Sequence, residues 1–198
     1  ADGSTGTTTI MSPAGTQVGD LLLAHVVDDG PTDEATVPTP AGWTRVVAGH
    51  ANQDQFVVVV FYRFAAATSE TFTFTFTDAS FAGLNYIELM AFSGVSQTAP
   101  VNASNINALT DASQPTAPSV TTTKANTMLV TMYAMDLSAD TFQTVTGMTE
   151  IYDQATGQLQ IAADRAIVAA TGATGTKVAT RSGTDIGPTI NATVALAP

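Results

Sequence analysis

The sequence predicts an all-β, two-sheet antiparallel β-sandwich, jelly-roll-like. Three observations carry that expectation: one strand of strict alternation, several continuous apolar runs bounded by turn formers, and a correspondence between the two halves of the chain. Thr71-Phe72-Thr73-Phe74-Thr75-Phe76-Thr77 has a period of two, which sets every phenylalanine on one face. A helix would spread those rings around its circumference, and both residue types favour a pleated, half-buried surface. Residues 55–64 contain Val57-Val58-Val59-Val60-Phe61, a β-branched and aromatic run that fits a strand covered on both faces. Residues 21–27, 84–92 and 128–135 are runs of the same kind.

Turn formers separate them. Pro31, Pro38, Pro40 and Gly42 interrupt the chain after Val27, and Asp78-Ala79-Ser80 follows the Thr/Phe strand. Residues 101–118 are polar, with Asn102, Asn105, Asn107, Pro115 and Pro118, and read as a crossover between two groups of strands. Neither flank holds enough large apolar side chains for a core of its own. The 198 residues are therefore expected as one domain, long enough to bury ~70% of the unfolded chain's surface.

The two flanks correspond, with half-repeats at about 7–95 and 119–198. Gly19-Asp20-Leu21-Leu22-Leu23-Ala24-His25-Val26-Val27 lines up with Asn126-Thr127-Met128-Leu129-Val130-Thr131-Met132-Tyr133-Ala134. Threonine clusters precede both, Thr7-Thr8-Thr9 and Thr121-Thr122-Thr123. Gly42-Trp43-Thr44-Arg45-Val46 matches Gly147-Met148-Thr149-Glu150-Ile151, and Gln55-Phe56 matches Gln158-Leu159. Tyr62-Arg63 matches Asp164-Arg165, and Ala66-Ala67-Thr68 matches Ala169-Ala170-Thr171. Each half is then a sheet that cannot cover its own apolar face, and stacking the two buries a common core ~10 Å thick.

Charge and composition narrow the function. Six basic and seventeen acidic residues give a net charge of -11, which repels phosphate backbones, so no nucleic-acid partner is expected. No apolar run reaches the ~18 residues of a membrane-spanning helix, and Ala1-Asp2-Gly3-Ser4 lacks the features of a secretory leader, so neither membrane nor leader is expected. The absence of cysteine removes disulfides and thiolate metal sites.

Few residues invite a chemical role, and no cofactor is expected. His25 falls inside a strand and His50 near a strand end, with no Gly-x-Ser-x-Gly elbow, so they read as ordinary strand histidines. Asp28, Asp29, Asp33 and Glu34 crowd the Pro-rich loop and are the candidate Ca²⁺ ligands, although the spacing is not that of an EF-hand and a solvated acidic loop is the favoured reading. Glu70, Glu88 and Glu150 are available carboxylates, but spacing alone sets no two across a cleft. Trp43 is the candidate ligand platform for a sugar; its counterpart Met148 favours a core plug instead. Asn102-Ala103-Ser104 and Asn191-Ala192-Thr193 fit the glycosylation sequon.

Gly19-Asp20-Leu21-Leu22-Leu23-Ala24, Pro40-Ala41-Gly42-Trp43-Thr44, Tyr62-Arg63, Ala91-Phe92-Ser93-Gly94-Val95 and Ala169-Ala170-Thr171-Gly172-Ala173-Thr174-Gly175-Thr176 resemble blocks of tailed-phage and prophage structural proteins attached to capsids or tails. The resemblance runs along most of the chain. It implies a virion β-sandwich, a capsid decoration or tail- or fibre-associated protein, with no catalytic residues to carry over. The expected partners are other virion proteins or copies of the chain itself, in an oligomeric assembly. The alternative expectation is a carbohydrate-binding or adhesive module at a bacterial cell surface, resting on the sandwich class and Trp43.

Overall fold

In the computed structural model, which describes residues 6–29, 34–51, 56–77, 85–136, 141–156, 159–183 and 186–198, the first half supplies β1 (Gly6–Met11), β2 (Leu21–Asp29), β3 (Thr44–His50), β4 (Phe56–Phe64), β5 (Thr71–Phe76) and β6 (Asn85–Phe92). A 3-10 turn, Glu34–Thr36, lies between β2 and β3. The second half supplies β7 (Val101–Ala112), β8 (Thr116–Ala117), β9 (Thr121–Thr122), β10 (Thr127–Asp136), β11 (Phe142–Gln143) and β12 (Thr149–Thr156). It continues with β13 (Leu159–Val168), β14 (Gly172–Ala173), β15 (Lys177–Val178), β16 (Thr180–Arg181) and β17 (Gly187–Leu196). The all-β sandwich expected from alternation and turn chemistry is what forms.

Each main sheet is drawn from one half. The first has the order β3-β4-β2-β6 and the second β12-β13-β10-β17-β7, antiparallel throughout. The first four strands of the second sheet thus repeat the order of the first. Finer details repeat too. Gly19 and Asn126 both have positive φ, 88° and 56°, as do Gly42 and Gly147, 79° and 81°. Only glycine and, at a cost, asparagine tolerate that region routinely. Trp43 and Met148 each donate their backbone N–H to the carbonyl three residues back, of Pro40 and Val145. A bulge between Arg45 and Val47 on β3 recurs between Glu150 and Tyr152 on β12.

The pairing register corrects one correspondence. Thr44 faces Tyr62 on β4 and Thr149 faces Arg165 on β13, so Tyr62 is the counterpart of Arg165 and Phe61 that of Asp164. Matching the halves on their shared arginines, Arg63 and Arg165, puts them one residue out of register there. In a strand, such a slip exchanges the two faces.

The inner faces meet in one core. Leu21, Leu23, Val58, Val60 and Phe92 from the first sheet pack with Val130, Met132, Ile161, Ala192 and Val194 from the second. The outer faces are buried as well, which explains why β2 reads as a continuous apolar run rather than an alternating one. β1 and β5 pair over the first sheet, and Phe72, Phe74 and Phe76 press onto Leu22, Val26, Val59 and Phe61. Those three phenylalanines therefore line the outer cover and not the inter-sheet core. Over the second sheet the cover is broken into β8–β15, β9–β14 and β11–β16, holding Phe142, Val145 and Ala179 against Tyr133 and Met135.

Residues 101–118, expected as an irregular crossover, do link the two halves but carry the long strand β7, hydrogen-bonded along β17. The asparagines that signalled a loop are used as cross-links. Asn102 Nδ2 donates to Thr123 Oγ1 at 2.8 Å, Asn107 Nδ2 to the Thr116 carbonyl at 3.0 Å, and Asn191 Nδ2 to Asn107 Oδ1 at 3.2 Å. Val101 and Ile106 lean into the core.

β3 lies against β7, and a Cβ on Gly49 would stand 3.2 Å from Ile106 Cδ1 and 3.6 Å from Ile190 Cγ2. Gly49→Val should cost about 2 kcal/mol by overpacking, and pairing it with Ile106→Ala should recover about half of that. Chemical denaturation of the single and double variants checks this; simple additivity would show that Ile106 is not what requires the glycine.

Candidate functional site

Among the described residues, the candidate Ca²⁺ ligands Asp28, Asp29 and Glu34 form no metal-holding group. Asp28 and Asp29 are the last residues of β2, with Asp28 buried, and Asp33 lies outside the described residues. Glu34 opens the 3-10 turn and binds His50 Nδ1 through Oε1 at 2.6 Å. Among the described residues no group of three or more His, Cys, Asp or Glu could hold a metal ion. Asp29 has its carboxyl pushed above the usual range by burial.

Trp43 is 7% exposed. Its ring meets Phe72 edge-on at 5.2 Å between centroids and Phe74 at 5.3 Å, and Arg63 caps the cluster at 5.9 Å from Trp43 and 4.8 Å from Phe72. Glu70 fixes that arginine at 3.0 Å and accepts the backbone N–H groups of Ala66 and Ala67. Two of the residues singled out for chemistry, Trp43 and Glu70, thus serve one turn and its apolar cover. Met148, the counterpart of Trp43, likewise packs under the second cover.

His25 occupies the inner face of β2 and is fully buried. Its Nδ1 shares a 2.6 Å hydrogen bond with the hydroxyl of Tyr152 on β12, so the pair bridges the two sheets. Its Nε2 has no hydrogen-bond partner among the described residues. Burial holds the imidazole down to about 3, so it is neutral at physiological pH. Glu88 stands directly opposite His25 on β6, its carboxyl raised by burial. Burial, with a contribution from the Glu88 charge, pushes the Tyr152 phenol well above its ordinary range.

Two further carboxylates carry no local signal in the sequence, Asp164 buried and Asp153 half-buried. Asp164 Oδ2 accepts the Val145 N–H at 3.0 Å, and Asp153 Oδ2 accepts the Phe142 N–H at 3.0 Å, fastening the second cover to its sheet. Burial raises both, partly offset by those backbone bonds. The signal was latent in the register: Asp164 replaces Phe61, the residue that meets Phe74 in the first half. Asn191, in one glycosylation triplet, is fully buried, and Asn102, in the other, is tied to Thr123.

One groove, of about 570 Å³, opens on the flank where β6 comes nearest β12. Thr16, Gln17, Met90, Ser93, Glu150 and Arg165 line it, and neither histidine reaches it. Asp20, Glu150 and Arg165 give it two negative charges and one positive. No family model, curated protein or solved structure matches this chain.

Proposed function

We propose that this chain is a non-enzymatic structural protein of a phage virion, a capsid decoration or tail- or fibre-associated subunit, that acts through protein–protein assembly. The observation that carries the assembly reading is the combination of covered faces and open edges. Both outer sheet faces are buried under short strands, whereas β3, β6, β7 and β12 each pair on one side only among the described residues. Unpaired edges offer rows of N–H and C=O groups ready to bond another chain. The virion setting rests on the sequence blocks that resemble phage structural proteins.

Mass spectrometry of purified source particles is expected to find the chain in stoichiometric amounts. Its absence from the particles would end the virion reading. A sugar-binding role has no exposed tryptophan to rest on, since Trp43 is enclosed by Phe72, Phe74 and Arg63.

A further inference from the structure

The second half closes one flank of the sandwich with a strand that the first half lacks. β7 runs along β17, with Ile106 opposite Ala192 and Val101 opposite Leu196. β6 is the counterpart of β17, and its outer edge carries no strand among the described residues. The groove lies at the Leu89–Ser93 end of this edge, on the flank opposite the one β7 fills.

The two flanks differ in one revealing position. Ile106 sits in an apolar slot made by Gly49, Ile190 and Ala192. In the register of the two sheets, the counterparts of those three residues are Gln154, Tyr86 and Glu88. An apolar slot is thus replaced by a polar one with a carboxylate at its centre. Glu88 is half-buried and makes no ion pair among the described residues.

We propose that the outer edge of β6 accepts an extended segment of a partner protein as an added antiparallel strand, with a Lys or Arg of that segment opposite Glu88. This deepens the assembly reading and rests on it for the existence of a partner. Main-chain bonds would supply affinity, and the cation at Glu88 would set the register. The net charge of -11 attracts a basic segment and repels a second copy of this chain, which favours a foreign partner.

Two peptides test it: one with the sequence of residues 101–112, and the same peptide carrying Ile106→Lys, which sets the ammonium opposite Glu88 in the β17–β7 register. Binding to the whole chain is read by fluorescence anisotropy and by hydrogen exchange. The lysine peptide should bind about tenfold more tightly than its parent and slow exchange along β6, and Glu88→Gln should shrink the advantage to about twofold. A thermal melt of Glu88→Gln verifies that it folds. No protection of β6 by either peptide would overturn the proposal, as would an advantage that survives Glu88→Gln. Concentration-dependent protection of β6 without peptide would overturn the partner assignment in favour of a second copy. Absence of the chain from source particles would remove the virion setting alone, while silent peptides would remove the edge site alone.

Discussion

Lowering the pH from 7 towards 3 will cost this protein about 4 kcal/mol of stability through one side chain, and the double substitution His25→Met with Tyr152→Phe will abolish that cost. The imidazole of His25 has an ordinary value of 6.5 when exposed in the unfolded chain and about 3 when buried. A group held down in the folded state contributes nothing against folding above pH 6.5, where it is neutral in both states. Below that, the unfolded chain takes up a proton that the folded chain refuses, and stability falls until the pH nears 3. At ~1.4 kcal/mol per pH unit the full window spans about 5 kcal/mol. Of this, about 4 kcal/mol is reached by pH 3, where the folded imidazole is itself half protonated; that is a large part of a typical 5–15 kcal/mol.

The buried carboxylates act in the opposite sense. Glu88, Asp153 and Asp164 are raised by burial, so they weaken the fold when charged and relieve it when protonated. In the double variant these and Asp29, raised in the same sense, remain of the shifted groups discussed, and the slope of stability against pH between 6.5 and 4 should change sign. The first substitution is the molecule's own, since Met132 is the counterpart of His25; the counterpart of Tyr152, Val47, is apolar too, and phenylalanine keeps the ring while removing the hydroxyl. Replacing both partners leaves no orphaned hydroxyl and also removes the unpartnered Nε2, so neutral-pH stability should be unchanged or higher. Urea denaturation at intervals from pH 7.5 to 4 checks the prediction. A wild-type profile that stays flat would show that the imidazole is reached by solvent.

The sandwich was legible because its signals are local. Alternation at residues 71–77 and the apolar runs of β2, β4 and β10 each report a strand through its own side chains. The asparagine-rich stretch misled because polar side chains signal a loop only when water satisfies them. In β7 the partners are Thr123, 21 positions from Asn102, and Asn191, 84 positions from Asn107, which no local window contains; Thr116 is only nine positions from Asn107, but its carbonyl becomes a partner only once the chain folds back along β7. Asp28 and Asp29 misled similarly, since a short range of acids says nothing about which of them a sheet will bury. The inter-sheet pair His25–Tyr152 spans 127 positions and was invisible for the same reason. The comparison of the halves came nearer to it, because it set His25 against Met132 and so marked a polar residue where its counterpart is apolar.

Trp43→Ala should destabilise the protein by about 4 kcal/mol, while Trp43→Met should cost only about half as much. The indole is 7% exposed and fills the space bounded by Phe72, Phe74 and the guanidinium of Arg63, so truncation to alanine leaves a cavity beneath the cover. It also deprives Arg63 of one of two aromatic faces, leaving Phe72 and the Glu70 carboxylate to hold it. Methionine is flexible enough to occupy most of that volume, and Met148 already does so at the same turn of the second half. As the sole tryptophan, Trp43 also reports on its own surroundings. Wild-type fluorescence should be blue-shifted, unresponsive to soluble polysaccharides and lost as a single step with the far-ultraviolet signal of the sheets. Quenching by a polysaccharide, together with a Trp43→Ala variant of undiminished stability, would restore the exposed sugar platform. The enclosure by Phe72, Phe74 and Arg63 argues against that outcome, because a ring only 7% exposed has little surface to offer a ligand.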